Sequence, residues 1–318
     1  MTCDIILDCD PGHDDAIALM LALGDPAINL LGVTTVGGNQ TLPKVTHNAL
    51  SVLHLSGATD VEVHPGCGRP LVRAPGIADS IHGESGLDGV EIPAPSAAPS
   101  QEHAVDYIVR TVMERPENTV TLVPTGPLTN IAMAVRREPR LADRVREIVP
   151  MGGGYHTGNW SPVAEFNIKT DPEAAHIVFN EDWPLTMMGL DLTHQALATA
   201  QVQQRITGIG STCSDFVVGL LDFFRGSYLT GQGFQDPPVH DACTVAYLID
   251  PGIVTTRKVP LDIELRGELT VGMTVADFRT PAPDDCSTQV AVDLDHERFW
   301  SLVVEAIRAL PVKAQVSE

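Results

Sequence analysis

Residues 3–36 read CDIILDCDPGHDDAIALMLALGDPAINLLGVTTV, and three segments separate within them. Ile5-Ile6-Leu7 is a short apolar run of the kind a buried strand shows. The helical pattern from about Asp14 to Leu23 is stopped by Gly24-Asp25-Pro26, and Ile28 to Val36 is again rich in β-branched residues. Strand, helix and strand in so short a span form a βαβ unit, whose strands run parallel because the crossover helix returns the chain to the same end. The rhythm continues outward with a helix around Val45 to Leu55, a strand near Val61 to Val63, a helix over Ala104 to Met113 and a strand at Val120 to Val123. Leu128 to Val135, Glu147 to Met151, Pro172 to Phe179 and Leu185 to Met188 extend it. Beyond a helix from His240 to Ile249 come β-like alternation over Val254 to Leu265 and Leu269 to Val275, a strand at Gln289 to Val292 and a helix from His296 to Leu310. No linker or repeat divides the chain. The expectation is one α/β domain over residues 1–318, an open, mostly parallel sheet flanked by helices. Two Pro- and Gly-rich stretches, Gly66 to Ser100 and Gly231 to Pro238, are expected to be functional loops over the site.

Composition narrows the function before any motif is read. Twenty Lys plus Arg against 41 Asp plus Glu give a formal charge of -21. Such a field repels phosphate backbones and anionic lipid heads, so no nucleic acid and no membrane partner is expected. The longest apolar run, Ala16 to Leu23, is far short of the roughly 20 residues of a spanning helix. Asp4, Asp8 and Asp10 stand where a signal peptide would carry its basic and apolar segments, and a cytoplasmic location is the expectation. The six cysteines show neither a C-x-x-C pair nor zinc-finger spacing and read as reduced, mostly buried thiols. Cys9, between Asp8 and Asp10, is a poor nucleophile because the flanking charge raises its pKa.

In an open parallel sheet, ligands bind outside the carboxyl ends of the strands. After the first strand come Asp8-Cys9-Asp10-Pro11-Gly12-His13-Asp14-Asp15, with four carboxylates in eight residues at a strand-to-helix turn. The dipole of the following helix can stabilise one or two of these charges, and four packed together must take up protons or bind a cation. Oxygen ligands without a thiolate favour calcium or magnesium, and a solvated acidic cap is the alternative. Counted from Asp8, the fifth residue is Gly12 and the twelfth Leu19, which excludes an EF-hand loop. Later strands end in Gly37-Gly38-Asn39, Pro124-Thr125-Gly126 and Met151-Gly152-Gly153-Gly154. None has dinucleotide-fingerprint spacing, and each is either a tight turn or a close approach of backbone to a ligand. Asn159, Glu165 and Asn167, grouped around Phe166, supply the donors and acceptors a polyhydroxylated ligand needs, or are surface polar residues. His240-Asp241 stands at a helix start, where Asp241 is either a cap or a ligand.

These segments together resemble the nucleoside hydrolases. Asp8 to Ala16 matches the D-x-D-P-G-x-D-D-A signature of that family, and Thr34 to Asn39, Val123 to Asn130, Met151 to Gly154, Ala164 to Asn167 and Val239 to Asp241 support it. The likeness runs from about Cys3 to Leu310 and is greatest to the inosine-uridine-preferring group, through Asp191 to Ala196 and Gly272 to Asp277. The resemblance implies a Rossmann-like sheet and a calcium ion held by Asp10, Asp15, Asp241 and the main-chain carbonyl of Thr125. It implies that Asp14, Asn39, Asn159, Glu165 and Asn167 grip the ribose, with Met151 beside them, and that His82, Phe166 and Tyr228 line the base pocket. It also implies a homodimer or homotetramer acting on a small nucleoside.

Breaking an N-ribosidic bond builds positive charge on the sugar and negative charge on the departing base. The expected roles follow. Carboxylates favour the cationic ring, Asp10 takes the proton of an attacking water fixed by Asn39 and the ion, and His240 protonates the base. Phe224 stands where relatives carry one Tyr of a pair with Tyr228, and Gln232 lies further along, so the preferred base stays open. Two other readings remain at this point. One is a magnesium phosphatase using Asp8 of Asp-x-Asp as nucleophile, against which Gly12 counts because those enzymes carry Thr or Val there. The other is a non-catalytic sugar or nucleoside binder with a structural ion.

Overall fold

The computed structural model describes residues 2–311. The domain expected over 1–318 therefore includes residue 1 and residues 312–318, which lie outside the described residues. Among the described residues ten strands form in chain order: β1 Cys3–Cys9, β2 Ile28–Thr35, β3 Val63–Pro65, β4 Val120–Pro124, β5 Glu147–Ile148, β6 Leu185–Met187, β7 Val254–Lys258, β8 Leu261–Ile263, β9 Thr274–Ala276 and β10 Thr288–Leu294. Eight of them make one sheet in the order β3-β2-β1-β4-β5-β6-β10-β7. Every neighbouring pair is parallel except β10 with the edge strand β7. The chain builds outward from β1 through β2 to β3, then crosses over to β4 on the other side. The order therefore reverses between β1 and β4, and the crevice at their carboxyl ends is where such sheets bind ligands.

β1 pairs on both edges and is covered on both faces. Ile5 and Leu7 enter the core beneath the helices His13–Gly24, Leu42–Leu55 and His296–Ala309, while Ile6 enters the core beneath Ala104–Glu114 and Thr129–Arg137. The helix His13–Gly24 packs against four other helices, and Ala16 to Leu21 are fully buried, which accounts for the unbroken apolar run there. Because that helix carries Asp14 and Asp15, its packing fixes the site. Ile17→Ala is expected to destabilise the fold by about 2–5 kcal/mol, read as a lower urea midpoint at unchanged slope.

The structure departs from the sequence reading at several places, the alternation expected over Leu269 to Val275 among them, which forms a strand only at β9. The strand expected over Glu147 to Met151 contracts to β5, because Pro150 has no N–H for the ladder, and Met151 regains only a single bridge to Met188. The alternation expected over Val254 to Leu265 breaks at Val259-Pro260, so that β7 joins the main sheet while β8 and β9 form a separate antiparallel hairpin. The Gly231 loop begins at the end of a 20-residue helix, Thr212–Gly231, which buries Phe216, Val217, Leu220, Leu221, Phe224 and Tyr228. The long loop after Gly66 contains one turn of helix, Asp79–His82.

Candidate active site

Asp10 follows the last residue of β1 and lies under the floor of a cavity at the β1/β4 crevice. Its Oδ2 accepts the Asn39 backbone N–H at 2.6 Å, and its buried Oδ1 has no hydrogen-bond partner. Glycine is required on two sides of it. A Cβ on Gly38 would lie 2.0 Å from Oδ2, and one on Gly126 2.7 Å from Oδ1. The glycines after β2 and β4 thus serve close approach as well as turning.

Asp15 is held by the Gly12 N–H and Asn39 Nδ2 on Oδ2, at 3.0 and 3.2 Å, and by the Thr125 hydroxyl on Oδ1 at 2.7 Å. Asp14 Oδ2 accepts the His240 N–H at 3.3 Å. Asp241 begins the helix Ala242–Ile249 but makes no side-chain cap bond, which removes the capping reading. Asp14, Asp15 and Asp241 each offer an oxygen to one point, the three atoms lying within 4.8 Å of one another. Asp14 therefore stands with the ligand set expected from sequence, while Asp10 lies beside the tightest triple.

Burial pushes all four carboxyls above the usual carboxylate range, and repulsion between them adds to it at Asp10, Asp14 and Asp241. Asp15 is the first charge acting on Asp10 and on Asp14, which is pushed up to about 7, and Asp14 is the first acting on Asp241. Among the described residues no Lys or Arg lines the cavity to balance them. All-oxygen donors, an unpaired buried carboxylate oxygen and uncompensated negative charge fit a hard divalent cation.

The cavity, about 200 Å³, is small enough for a metabolite and too small for a polymer strand. Asp14, Asn39, His82, Thr125, Met151, Asn159, Glu165, Phe166, Asn167, Tyr228, His240 and Asp241 all line it, while Asp10 and Asp15 lie beneath. On one side Asn167 Nδ2 donates to the Thr125 and Met151 carbonyls at 2.8 and 3.1 Å, tying together the segments that follow β4 and β5. Asn159 Oδ1 accepts the Phe166 N–H at 2.9 Å, which leaves its amide hydrogens for a ligand. Glu165 caps the helix Phe166–Thr170 and accepts the N–H groups of Asn167, Ile168 and Gly153, at 2.8, 3.1 and 2.9 Å. Burial nevertheless raises it to about 7.

On the other side His240 Nε2 lies 2.7 Å from Tyr228 Oη, and Nδ1 lies 2.7 Å from Thr193 Oγ1. Burial, then His194 5.7 Å away, holds His240 well below the ordinary histidine pKa. Phe224 is fully buried behind the Tyr228 ring, with centroids 4.7 Å apart, and Gln232 lines the cavity. Sequence reasoning missed Thr193, which orients His240 from the segment after β6, although its place after a strand was a signal. It also missed Trp160, half exposed at the rim and edge-on to Phe166.

Asp8 does not reach the cavity. It is fully buried, and its Oδ1 is taken by the Thr34 hydroxyl and Asn130 Nδ2, at 2.6 and 2.7 Å. A phosphatase nucleophile cannot act from there. Cys9 is equally enclosed, with burial first and Asp15 next raising its pKa.

The family model described as inosine-uridine preferring nucleoside hydrolase matches residues 5–301. The chain is 56% identical to the inosine-uridine preferring nucleoside hydrolase of Crithidia fasciculata, over 96% of this chain and 98% of that one. It is 45% identical to the pyrimidine-specific ribonucleoside hydrolase RihA of Shewanella oneidensis, over 97% of each. Among solved structures, the purine-preferring ribonucleoside hydrolase from Gardnerella vaginalis superposes with a TM-score of 0.91 at 34% identity, covering 96% of this chain and 98% of that one. Agreement this extensive in sequence and fold places the chain in the nucleoside hydrolase family, as an enzyme that hydrolyses the N-glycosidic bond of ribonucleosides.

Proposed function

We propose that the cavity cleaves ribonucleosides with Asp10 as the base toward water and His240, through its contact with Tyr228, as the proton source for the departing base. The observation that carries this reading is that two kinds of group meet at one cavity. Asp10 Oδ1 is buried without a partner beside the converging oxygens of Asp14, Asp15 and Asp241, and a neutral His240–Tyr228 pair stands in the wall next to them.

The cation is calcium in our reading, held by Asp10, Asp15, Asp241 and the Thr125 carbonyl, with the Asp14 oxygen close enough to join them. Bound there it would anchor sugar hydroxyls and make a nearby water more acidic. The protein's own groups do the rest. Asp14, Asn39, Asn159, Glu165 and Asn167 offer donors and acceptors to ribose, and Met151 packs beside it. Asn39 orients the water, whose proton goes to Asp10 Oδ1. Negative charge across the cavity floor favours the cationic sugar ring as the bond breaks. Phe166 and Tyr228 flank the base, and His82 faces it.

The same reading makes the chain one catalytic domain acting on neutral nucleosides in purine and pyrimidine salvage, as a homodimer or homotetramer. A cytoplasmic setting is supported by six cysteines that form no disulfide. Among the described residues no helix is long and apolar enough to cross a membrane.

Base release from inosine or uridine is the test. Exhaustive chelation should lower it at least about tenfold, and calcium should restore it. Full turnover by metal-free protein would overturn the cation's part in the reading. Restoration by magnesium and not by calcium would change the ion.

A further inference from the structure

The proposed mechanism uses His82 only as a wall of the base pocket and leaves unused its buried neighbour His13, which stands in the carboxylate turn. His13 opens the helix His13–Gly24 and is fully buried. Its ring lies parallel to those of Phe223 and Phe224, with centroids 5.2 and 5.0 Å away. Nε2 sits 2.9 Å from the Asp88 carbonyl oxygen, and Nδ1 sits 3.1 Å from Nδ1 of His82.

These contacts constrain where the hydrogens lie. A carbonyl oxygen only accepts, so His13 Nε2 carries a hydrogen. Among the described residues no carboxylate comes within ion-pair distance of His13, the Asp88 carboxylate acting on it only from further off, and a second proton in so buried a place is costly, so its Nδ1 is a bare lone pair. The hydrogen between the two Nδ1 atoms therefore belongs to His82. The His13 backbone N–H also lies 3.3 Å from His82 Nδ1. If that longer contact were the bond, either two lone pairs would face each other at 3.1 Å or a bare Nε2 would face the Asp88 carbonyl at 2.9 Å.

We propose that His13 is a positioning residue that fixes His82 as the Nδ1–H tautomer, so that His82 presents Nε2 to the cavity as a hydrogen-bond acceptor for a donor on the nucleoside. His82 lines the cavity, and its Nδ1 is already engaged. The same His13 ring stacks on Phe224, which lies 5.5 Å from His82 and packs edge-on to Tyr228. One buried imidazole thus supports both His82 and the ring behind Tyr228 from the turn that carries Asp14 and Asp15. The inference rests on the reading of this cavity as the nucleoside site. The donor is the 5′-hydroxyl or a base N–H, two sources that the experiment separates.

Neutron diffraction from deuterated crystals tests the tautomer without turnover. The expected map has a deuteron on His82 Nδ1 and none on Nε2, and a deuteron on Nε2 overturns the proposal even if the enzyme cleaves nucleosides normally. Kinetics test the consequence. The wild-type enzyme should show a KM about five- to tenfold higher, the worth of one hydrogen bond, for either 5′-deoxyinosine or 1-methylinosine than for inosine. The analogue that suffers identifies the donor. His13→Phe keeps an aromatic ring and removes both nitrogens. It should raise KM for inosine by a similar factor, change kcat less, and abolish the discrimination against that analogue. Equal KM for all three ribosides in wild type, or undiminished discrimination in the variant, overturns the acceptor role. Should His13→Phe fail to fold, the neutron map and the wild-type comparison still decide. Absence of any nucleoside turnover would instead overturn the functional reading and leave the tautomer result standing.

Discussion

Replacing His240 with alanine is expected to slow base release from inosine by about 10²–10⁴-fold and to spare a riboside whose leaving group departs without a proton. The expectation follows from the bonding of the ring. Thr193 Oγ1 fixes Nδ1 and Tyr228 Oη meets Nε2, so the imidazole is held in one orientation in the cavity wall. Burial keeps the ring neutral at rest. Negative charge building on the departing base raises the proton affinity of that base, so the proton held between His240 and Tyr228 passes to it as the bond breaks and the pair is reprotonated from water afterwards. A leaving group that needs no proton bypasses this step. The variant also leaves the Thr193 and Tyr228 hydroxyls without their partner, at a stability cost of about 1–3 kcal/mol. That cost lowers the melting temperature and reduces active enzyme equally for both substrates, so their rate ratio isolates the chemistry. Equal losses on the two ribosides would remove His240 from proton transfer.

How much of this was legible in the chain varies with the distance over which residues cooperate. The βαβ unit of residues 3–36 was readable because both its strand runs and its helix are local patterns, and β1, the helix His13–Gly24 and β2 form within a residue or two of where those patterns fall. The acidic turn was readable for the same reason. The loops after β2 and β4 could be named as places to inspect, because parallel sheets bind ligands at that end. Their glycines could not be assigned, since the Asp10 oxygens that press on Gly38 and Gly126 arrive from another strand. Glu165 shows a different limit. Its neighbours suggested sugar binding, yet its carboxylate also accepts three backbone N–H groups, a use that depends on the helix starting at the next residue. Phe224 was expected near the leaving group as a stand-in for a tyrosine. The fold puts it behind Tyr228 and against His13 and His82, fully buried and outside the cavity lining. The His13–His82 contact joins residues 69 apart across a loop with no periodicity of its own, and no local rule could announce it.

Asp10→Asn should lower turnover of every riboside, activated or not, by roughly a thousandfold or more, because the base toward water is lost whatever departs. The substitution is nearly isosteric, and its carbonyl can still accept the Asn39 N–H that now meets Oδ2. The amide group then takes the place of Oδ1, the oxygen that is buried without a partner, and it can neither receive a proton nor carry charge to a cation. Stability should move the other way. Burial, then Asp15, hold Asp10 well above its ordinary pKa, so at neutral pH its ionised form opposes folding, fully so above the folded value and not at all below the unfolded one. A neutral amide removes that opposition, and the melting temperature of the metal-free variant at neutral pH should stay level or rise while activity collapses. A fall in both would mean that Asp10 acts mainly as a packing group. Wild-type rates in the amide variant would pass the water's proton to Asp14, Asp15 or Asp241, the carboxyls whose oxygens already converge on one point.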